Sequence, residues 1–142
     1  MIKNLSVNSD GFNINKTSVH KLVYVLSKEL NFKIDSMSIN FINSDQIKRI
    51  NSEYLDHNNS TDIISFNYIG NNSVLDGELF ISYQDAERNS KKYKVSLNQE
   101  LIRLIIHGIL HLVGFNDDTA TEKKIMKTRE NQLTYKNNFA LL

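Results

Sequence analysis

Apolar residues fall at helical spacing early in the chain. Between Thr17 and Leu30 they are Val19, Leu22, Val23, Val25, Leu26 and Leu30, in steps of three and four that predict an amphipathic helix. Met37 to Ile42 runs Met-Ser-Ile-Asn-Phe-Ile, an alternation that predicts a strand. Asn43 with Gln46 three residues on forms a capping-box signal for a second helix, reaching about Tyr54. Asp62 to Tyr68, rich in Ile and Phe, predicts a buried strand, and Glu78 to Ser82 another. Gln84 to Lys92 suits a short polar helix. The Asn-rich stretches Asn58-Asn59-Ser60 and Asn71-Asn72-Ser73 suit loops.

The second half is dominated by one segment. Ser96 and Gln99 form a second capping-box signal, opening a helix from Leu97 to about Val113. From Leu101 to Val113 only Arg103, His107 and His111 interrupt the apolar run. A helix apolar on all sides belongs in the centre of a domain. Gly114 stands where such a helix ends in a left-handed turn. Thr119 with Glu122 opens a charged C-terminal helix, with Ile125, Met126 and Leu133 as its inner stripe. The order is strand, helix, strand, helix, two strands, then helices. It predicts one α+β domain over residues 1–142, a small mixed β-sheet packed against helices around the histidine-bearing central helix.

Composition narrows the function classes. The 142 residues carry 17 Lys and Arg against 16 Asp and Glu, a net charge of +1. A nucleic-acid binder that works by bulk charge is usually far more basic, so any such binding needs a local groove. The absence of Cys excludes disulfides and cysteine zinc sites, and suits a reducing compartment. The opening MIKNLSVNSDGFNINK lacks the apolar core of a signal peptide. The longest apolar run, Leu104 to Val113, is well short of the roughly 18 residues of a membrane span. A soluble cytoplasmic protein with no membrane partner is expected.

Two histidines four apart on a helix share a face, and both imidazoles can reach one cation at about 2.0–2.1 Å. On an apolar helix each unpartnered imidazole would carry a desolvation cost, which a shared metal removes. In His107-Gly-Ile-Leu-His111-Leu-Val-Gly114-Phe-Asn-Asp117 the spacing of His, His, Gly and a last ligand is that of the long zinc-protease motif. Gly114 lets the chain reverse, so that Asp117 returns to a metal held by His107 and His111. Two imidazoles and a carboxylate form a catalytic zinc set with one position open for water, whose pKa falls to about 7. Asp118 is the alternative third ligand; as a fourth it would close the site and make the metal structural. Gly108 stands where zinc proteases carry their general-base Glu, so the base lies elsewhere. Gly108 also suggests open space beside the metal.

These residues resemble the YbeY family of bacterial metal-dependent endoribonucleases that mature ribosomal RNA. His107-Gly-Ile-Leu-His111-Leu-Val-Gly114-Phe resembles its signature. Ile50-Asn51-Ser-Glu-Tyr54 with Ser60-Thr61-Asp62-Ile-Ile-Ser65-Phe66, then Gly77-Glu78-Leu79-Phe80-Ile81, then Glu122, Met126 and Glu130, are similar to its other segments. The resemblance spans nearly the whole chain. It implies one Zn²⁺ per chain, cleavage of single-stranded RNA, a role in 16S rRNA 3′-end maturation and ribosome quality control, and ribosomal partners including ribosome-associated proteins. It also implies that Thr61, Asp62, Ser65 and Glu78 line the cleft near the metal. Two positions depart from the family: Asp117 replaces a common third His, and Leu55 a common Arg. Arg103, Lys91, Lys92 and Lys94 are the candidate substitutes for that phosphate-binding Arg.

Two rival functions remain at the level of sequence. One is a metalloprotease-like or other metal hydrolase, which the helix and its spacing permit. The other is a non-catalytic ribosome-assembly protein with a structural metal, whose loss would cost much of the folding stability.

Overall fold

The alternation around Met37 places Met37, Ile39 and Phe41 on one face of a strand and Ser38 and Asn40 on the other, as the burial along it confirms. The computed structural model describes residues 1–55, 61–69 and 71–142. In chain order the elements are β1 (Leu5–Ser9), α1 (Lys16–Leu30), β2 (Lys33–Ile42), α2 (Ser44–Leu55), β3 (Ile63–Asn67), β4 (Val74–Ser82), α3 (Tyr83–Tyr93), α4 (Leu97–Leu112) and α5 (Ala120–Lys136). The strands form one mixed sheet in the order β1-β2-β4-β3. β1, β2 and β4 are parallel, and β3 returns antiparallel to β4, with Ile63 opposite Ile81 and Asn67 opposite Gly77. The chain is therefore α+β with a small mixed sheet, as the pattern predicts. The Asn71–Ser73 loop is as expected; Asn58, Asn59 and Ser60, like His57, lie outside the described residues.

One sheet face carries the main core. Met37, Ile39, Phe41, Leu75, Leu79 and Ile81 meet Leu22, Val23 and Leu26 of α1 and the apolar length of α4 in a single cluster. The other face holds a smaller cluster under α2, built on Ile42, Ile47 and Ile64 with Phe66 and Phe80 against it. The opening strand, to which the pattern assigns no residues, is β1; its Leu-Ser-Val-Asn-Ser offers only two apolar positions because one of its faces meets solvent. β2 and β4 begin earlier than the pattern predicts, at Lys33 and Val74; β2 opens on a largely exposed polar stretch, and β4 on exposed Val74 followed by buried Leu75.

The capping signals are all realised. Asn43 and Gln46 bond reciprocally, Gln46 N–H to the Asn43 side chain at 2.8 Å and Asn43 N–H to Gln46 Oε1 at 3.0 Å. Ser96 accepts from Gln99 N–H, and Thr119 and Glu122 close a full capping box. At the end of α4, Gly114 adopts φ +105° and its N–H reaches the His111 carbonyl, while Phe115 N–H reaches that of Leu110. This pair of bonds is the Schellman arrangement that a left-handed glycine allows.

Two expectations are corrected. Ile125 is 55% exposed; the buried stripe of α5 is Met126, Glu130 and Leu133, a four-then-three step that Ile125 does not share. Gly108 opens no space beside the histidines. It faces the sheet, where a Cβ would meet Leu79 Cδ2 at 2.7 Å and Ile63 Cδ1 at 2.9 Å.

Helix α4 thus rests on the sheet at a point where no side chain fits, and a protease-type Glu at this position would be forced into the core. Gly108→Glu is expected to destabilise the protein by more than about 4 kcal/mol, combining overpacking with a buried unpaired carboxylate. Chemical denaturation followed by circular dichroism measures this; a variant of unchanged stability would show that α4 does not lie this close.

Candidate metal centre

The i, i+4 spacing on α4 brings the His107 and His111 rings together, with centroids 4.8 Å apart and planes at 78°. Both are partly exposed, at 23% and 28%, on a helix otherwise largely buried. The left-handed turn at Gly114 then carries the chain back, and Asp117 Oδ2 comes within 3.3 Å of His111 Nε2. Two ligands about 2.0–2.1 Å from a tetrahedral zinc are separated by roughly 3.3–3.4 Å. One ligand atom from each of His107, His111 and Asp117 falls within 4.8 Å of the others. Asp118 is exposed and stands outside this cluster.

A further residue orients the set. Glu130 of α5 is 1% exposed and its Oε1 lies 3.0 Å from His107 Nδ1. Burial alone would raise its pKa. The His107 hydrogen bond and the charges of Arg103, His107 and Lys127 outweigh that effect and hold the carboxyl below its usual range. A carboxylate only accepts, so Nδ1 carries the hydrogen and Nε2 keeps its lone pair for a cation. The donor set, two imidazoles and a carboxylate with one imidazole fixed in the ligating tautomer, fits a divalent metal such as zinc. The sequence signal for this role is a carboxylate on the buried stripe of α5, where an apolar residue would serve packing better.

Behind the histidines lies a buried ionic network. Glu100, 1% exposed, binds Arg103 through two bonds of 2.9 and 2.6 Å, and Arg103 reaches Glu130 at 3.0 Å. Its third carboxylate is Asp62, at 3.7 Å, which also accepts from Asn89 at 3.1 Å. Burial pushes the Asp62 carboxyl up; Arg103 partly offsets the rise and Glu100 adds to it.

The histidines and Asp117 open onto a cleft of about 660 Å³ that runs along β3 between the C-terminal ends of α2 and α4. Thr61, Asp62 and Ser65 line it with them. Glu78 does not. On β4 the alternation turns Gly77 and Leu79 toward the helices, so Glu78 points to the opposite sheet face, where it accepts from Ser38 at 2.9 Å and Tyr68 at 2.6 Å. Leu55 lines the cleft. Among the candidate replacement cations, Lys91, Lys92 and Lys94 are exposed away from it, and Arg103 is engaged by carboxylates. Among the described residues, the cleft walls therefore carry the carboxylates of Asp62 and Asp117 and no Lys or Arg.

Comparison with known proteins places these features. The family model described as endoribonuclease YbeY matches residues 4–138. A protein named endoribonuclease YbeY from Azobacteroides pseudotrichonymphae is 39% identical over 119 residues, covering 84% of this chain and 85% of that one. Its namesake in Bacteroides fragilis is 41% identical over 100 residues, covering 70% and 71%. The solution structure of TM1509 from Thermotoga maritima superposes with a TM-score of 0.66 over 92% of this chain and 86% of that one. At 21% identity it shows a shared fold.

Glu130→Gln tests the orienting role. It is expected to weaken zinc binding about 10- to 100-fold, as measured by competition with a chromophoric chelator. The metal-free proteins should also differ in acid. A carboxylate with a lowered folded pKa gives stability that is complete above its unfolded value of about 4.3 and lost as pH falls through the folded one. The variant should lack that part of the acid-side loss in denaturation measured from pH 7 downward. Equal zinc affinity would remove Glu130 from the site.

Proposed function

The chain belongs to the endoribonuclease YbeY family, and from that premise we propose that it is a zinc-dependent, single-strand-specific endoribonuclease of 16S rRNA 3′-end maturation and ribosome quality control. Residues 1–142 act as one hydrolase domain with one Zn²⁺ per chain, in the cytoplasm, with ribosomal RNA, the ribosomal subunit and ribosome-associated proteins as partners. No helix among the described residues is long and apolar enough to cross a membrane. The observation that carries the reading is the His107, His111 and Asp117 cluster opening directly onto the β3 cleft.

His107 and His111 hold the metal through neutral imidazole nitrogens, and Asp117 completes the set. Zinc bound there supplies Lewis acidity toward a phosphodiester oxygen. The remaining work falls to the chain. Asp62, beside the histidines and braced by Asn89 and Arg103, accepts the proton of the hydroxyl that attacks phosphorus, while the P–O bond to the departing ribose oxygen breaks and that oxygen takes a proton from solvent. Thr61 and Ser65 offer hydroxyl donors to phosphate oxygens along the same wall. Gly108, closed against Leu79 and Ile63, leaves no room for the base of a zinc protease, which speaks against the peptidase alternative.

Asp117→Ala and His111→Ala are each expected to lose zinc in elemental analysis. Their cleavage of a single-stranded 16S rRNA fragment should fall at least about 100-fold, with little change in the far-ultraviolet circular dichroism. Full cleavage by zinc-free Asp117→Ala would overturn the reading. Collapse of the fold on chelation would instead favour a structural metal.

The absence of Lys and Arg from the described cleft walls yields a gain-of-function test. Leu55→Arg restores a phosphate partner at a half-exposed position and is expected to lower KM for RNA about fivefold, or about 1 kcal/mol, with kcat little changed. An unchanged KM would show that substrate does not pass Leu55.

A further inference from the structure

We propose that a groove on the sheet edge away from the metal docks an acidic amphipathic helix of a partner protein. The groove lies between α1, the residues that precede β1 and the start of β2, has a volume of about 810 Å³, and shares no lining residue with the metal cleft. β1 and β3 are opposite edges of the sheet, so both sites can be occupied together.

Its floor is apolar, formed by Ile2, Phe32, Ile34 and Phe139. Phe139 is held there because Asn98 donates to its carbonyl at 2.8 Å and accepts from Leu141 N–H at 2.7 Å. Four lysines line it: Lys21 and Lys28 from α1, Lys3 and Lys33 from the strand side. No Asp or Glu lines it, and no carboxylate pairs with these lysines among the described residues. The chain carries a net charge of only +1, so the concentration of four positive charges is local and the remainder of the protein is net negative.

The α1 wall selects the shape of the occupant. Lys21, Tyr24, Val25 and Lys28 stand at i, i+3, i+4 and i+7, a row along which a second helix packs. Tyr24 is 55% and Val25 37% exposed, and the Lys28 ammonium lies 5.2 Å above the Tyr24 ring. A helix with an apolar stripe flanked by carboxylates satisfies floor and rim together. An RNA backbone would satisfy the lysines and leave the apolar floor uncovered.

The test uses the full zinc-loaded protein and a fluorescein-labelled helical peptide of about five turns, with Leu at i, i+4, i+7 and i+11 and Glu on the flanks. Anisotropy should show binding that weakens as salt rises. It should fall about tenfold with Lys21→Glu/Lys28→Glu, with the milder Lys21→Gln/Lys28→Gln, and with Val25→Asp, while RNA cleavage stays at the wild-type rate. A peptide with Ser in place of Leu, or Lys in place of Glu, should bind at least tenfold more weakly. Equal binding by the control peptides, by all three variants, or no binding at all would overturn the proposal. So would a single-stranded oligouridylate whose binding outcompetes the peptide and is lost in the same variants.

Discussion

The distance between α4 and the sheet governs what the histidines can do. A helix buried on all sides but the narrow stripe of Arg103, His107 and His111 has little solvated face to set its rotation, so close contact sets it. Gly108 supplies that contact, because only a residue without a side chain lets the helix backbone come down onto Leu79 and Ile63. With Gly108 turned to the sheet, His107 and His111 are rotated toward the cleft beside β3. Interiors packed to crystal-like density deform little, so this contact also fixes the depth at which the imidazoles meet solvent. The left-handed turn at Gly114 then determines which carboxylate returns to them.

Packing alone would leave the rings free to turn about their side-chain bonds. The ionic network removes that freedom. Burying Glu100 and Glu130 is unfavourable in isolation, and two carboxylates around one guanidinium do not guarantee a net gain in stability. What the arrangement supplies is orientation. Arg103 bridges Glu100 to Glu130, Glu130 fixes the tautomer of His107, and the far side of the same guanidinium faces Asp62. The ligand shell and the proposed proton acceptor are thus referenced to one rigid cation on the helix that carries the ligands.

Much of this is legible in the sequence. The helix of α4, its capping, the turn at Gly114 and the His107, His111 and Asp117 set follow from spacing, because local periodicity and turn chemistry are short-range properties. The parts that were not legible depend on tertiary contacts. Glu78 was expected in the cleft, but strand alternation and sheet order direct it to the opposite face, and order is not written in local pattern. Gly108 suggests open space in the sequence, whereas its neighbours come from two strands that lie 29 to 45 positions away. Glu130 drew no role of its own, although a carboxylate between Met126 and Leu133 is a legible anomaly once the stripe is placed correctly. β1 carries too few apolar residues to announce itself.

The two departures from the family pattern act on the cleft in the same electrostatic sense. A carboxylate at position 117 lowers the net charge of a zinc site by one relative to a third imidazole, and Leu55 contributes no cation. With Asp62 on the same wall, attraction for a phosphodiester in the proposed reaction would rest more heavily on the ion itself than it would beside a guanidinium. An arginine that grips phosphate equally before and during reaction adds binding without acceleration, so its absence is felt chiefly at low substrate. The carboxylate ligand differs, because it bears on the charge that develops as the bond breaks. Loss of the guanidinium's attraction and a weaker Lewis acid are therefore separable in the proposed reaction: the first would raise KM, the second would lower kcat. A second attachment point on the far edge of the sheet, as proposed for the groove beside α1, would offset the first effect by raising the effective local concentration of RNA carried by a bound partner.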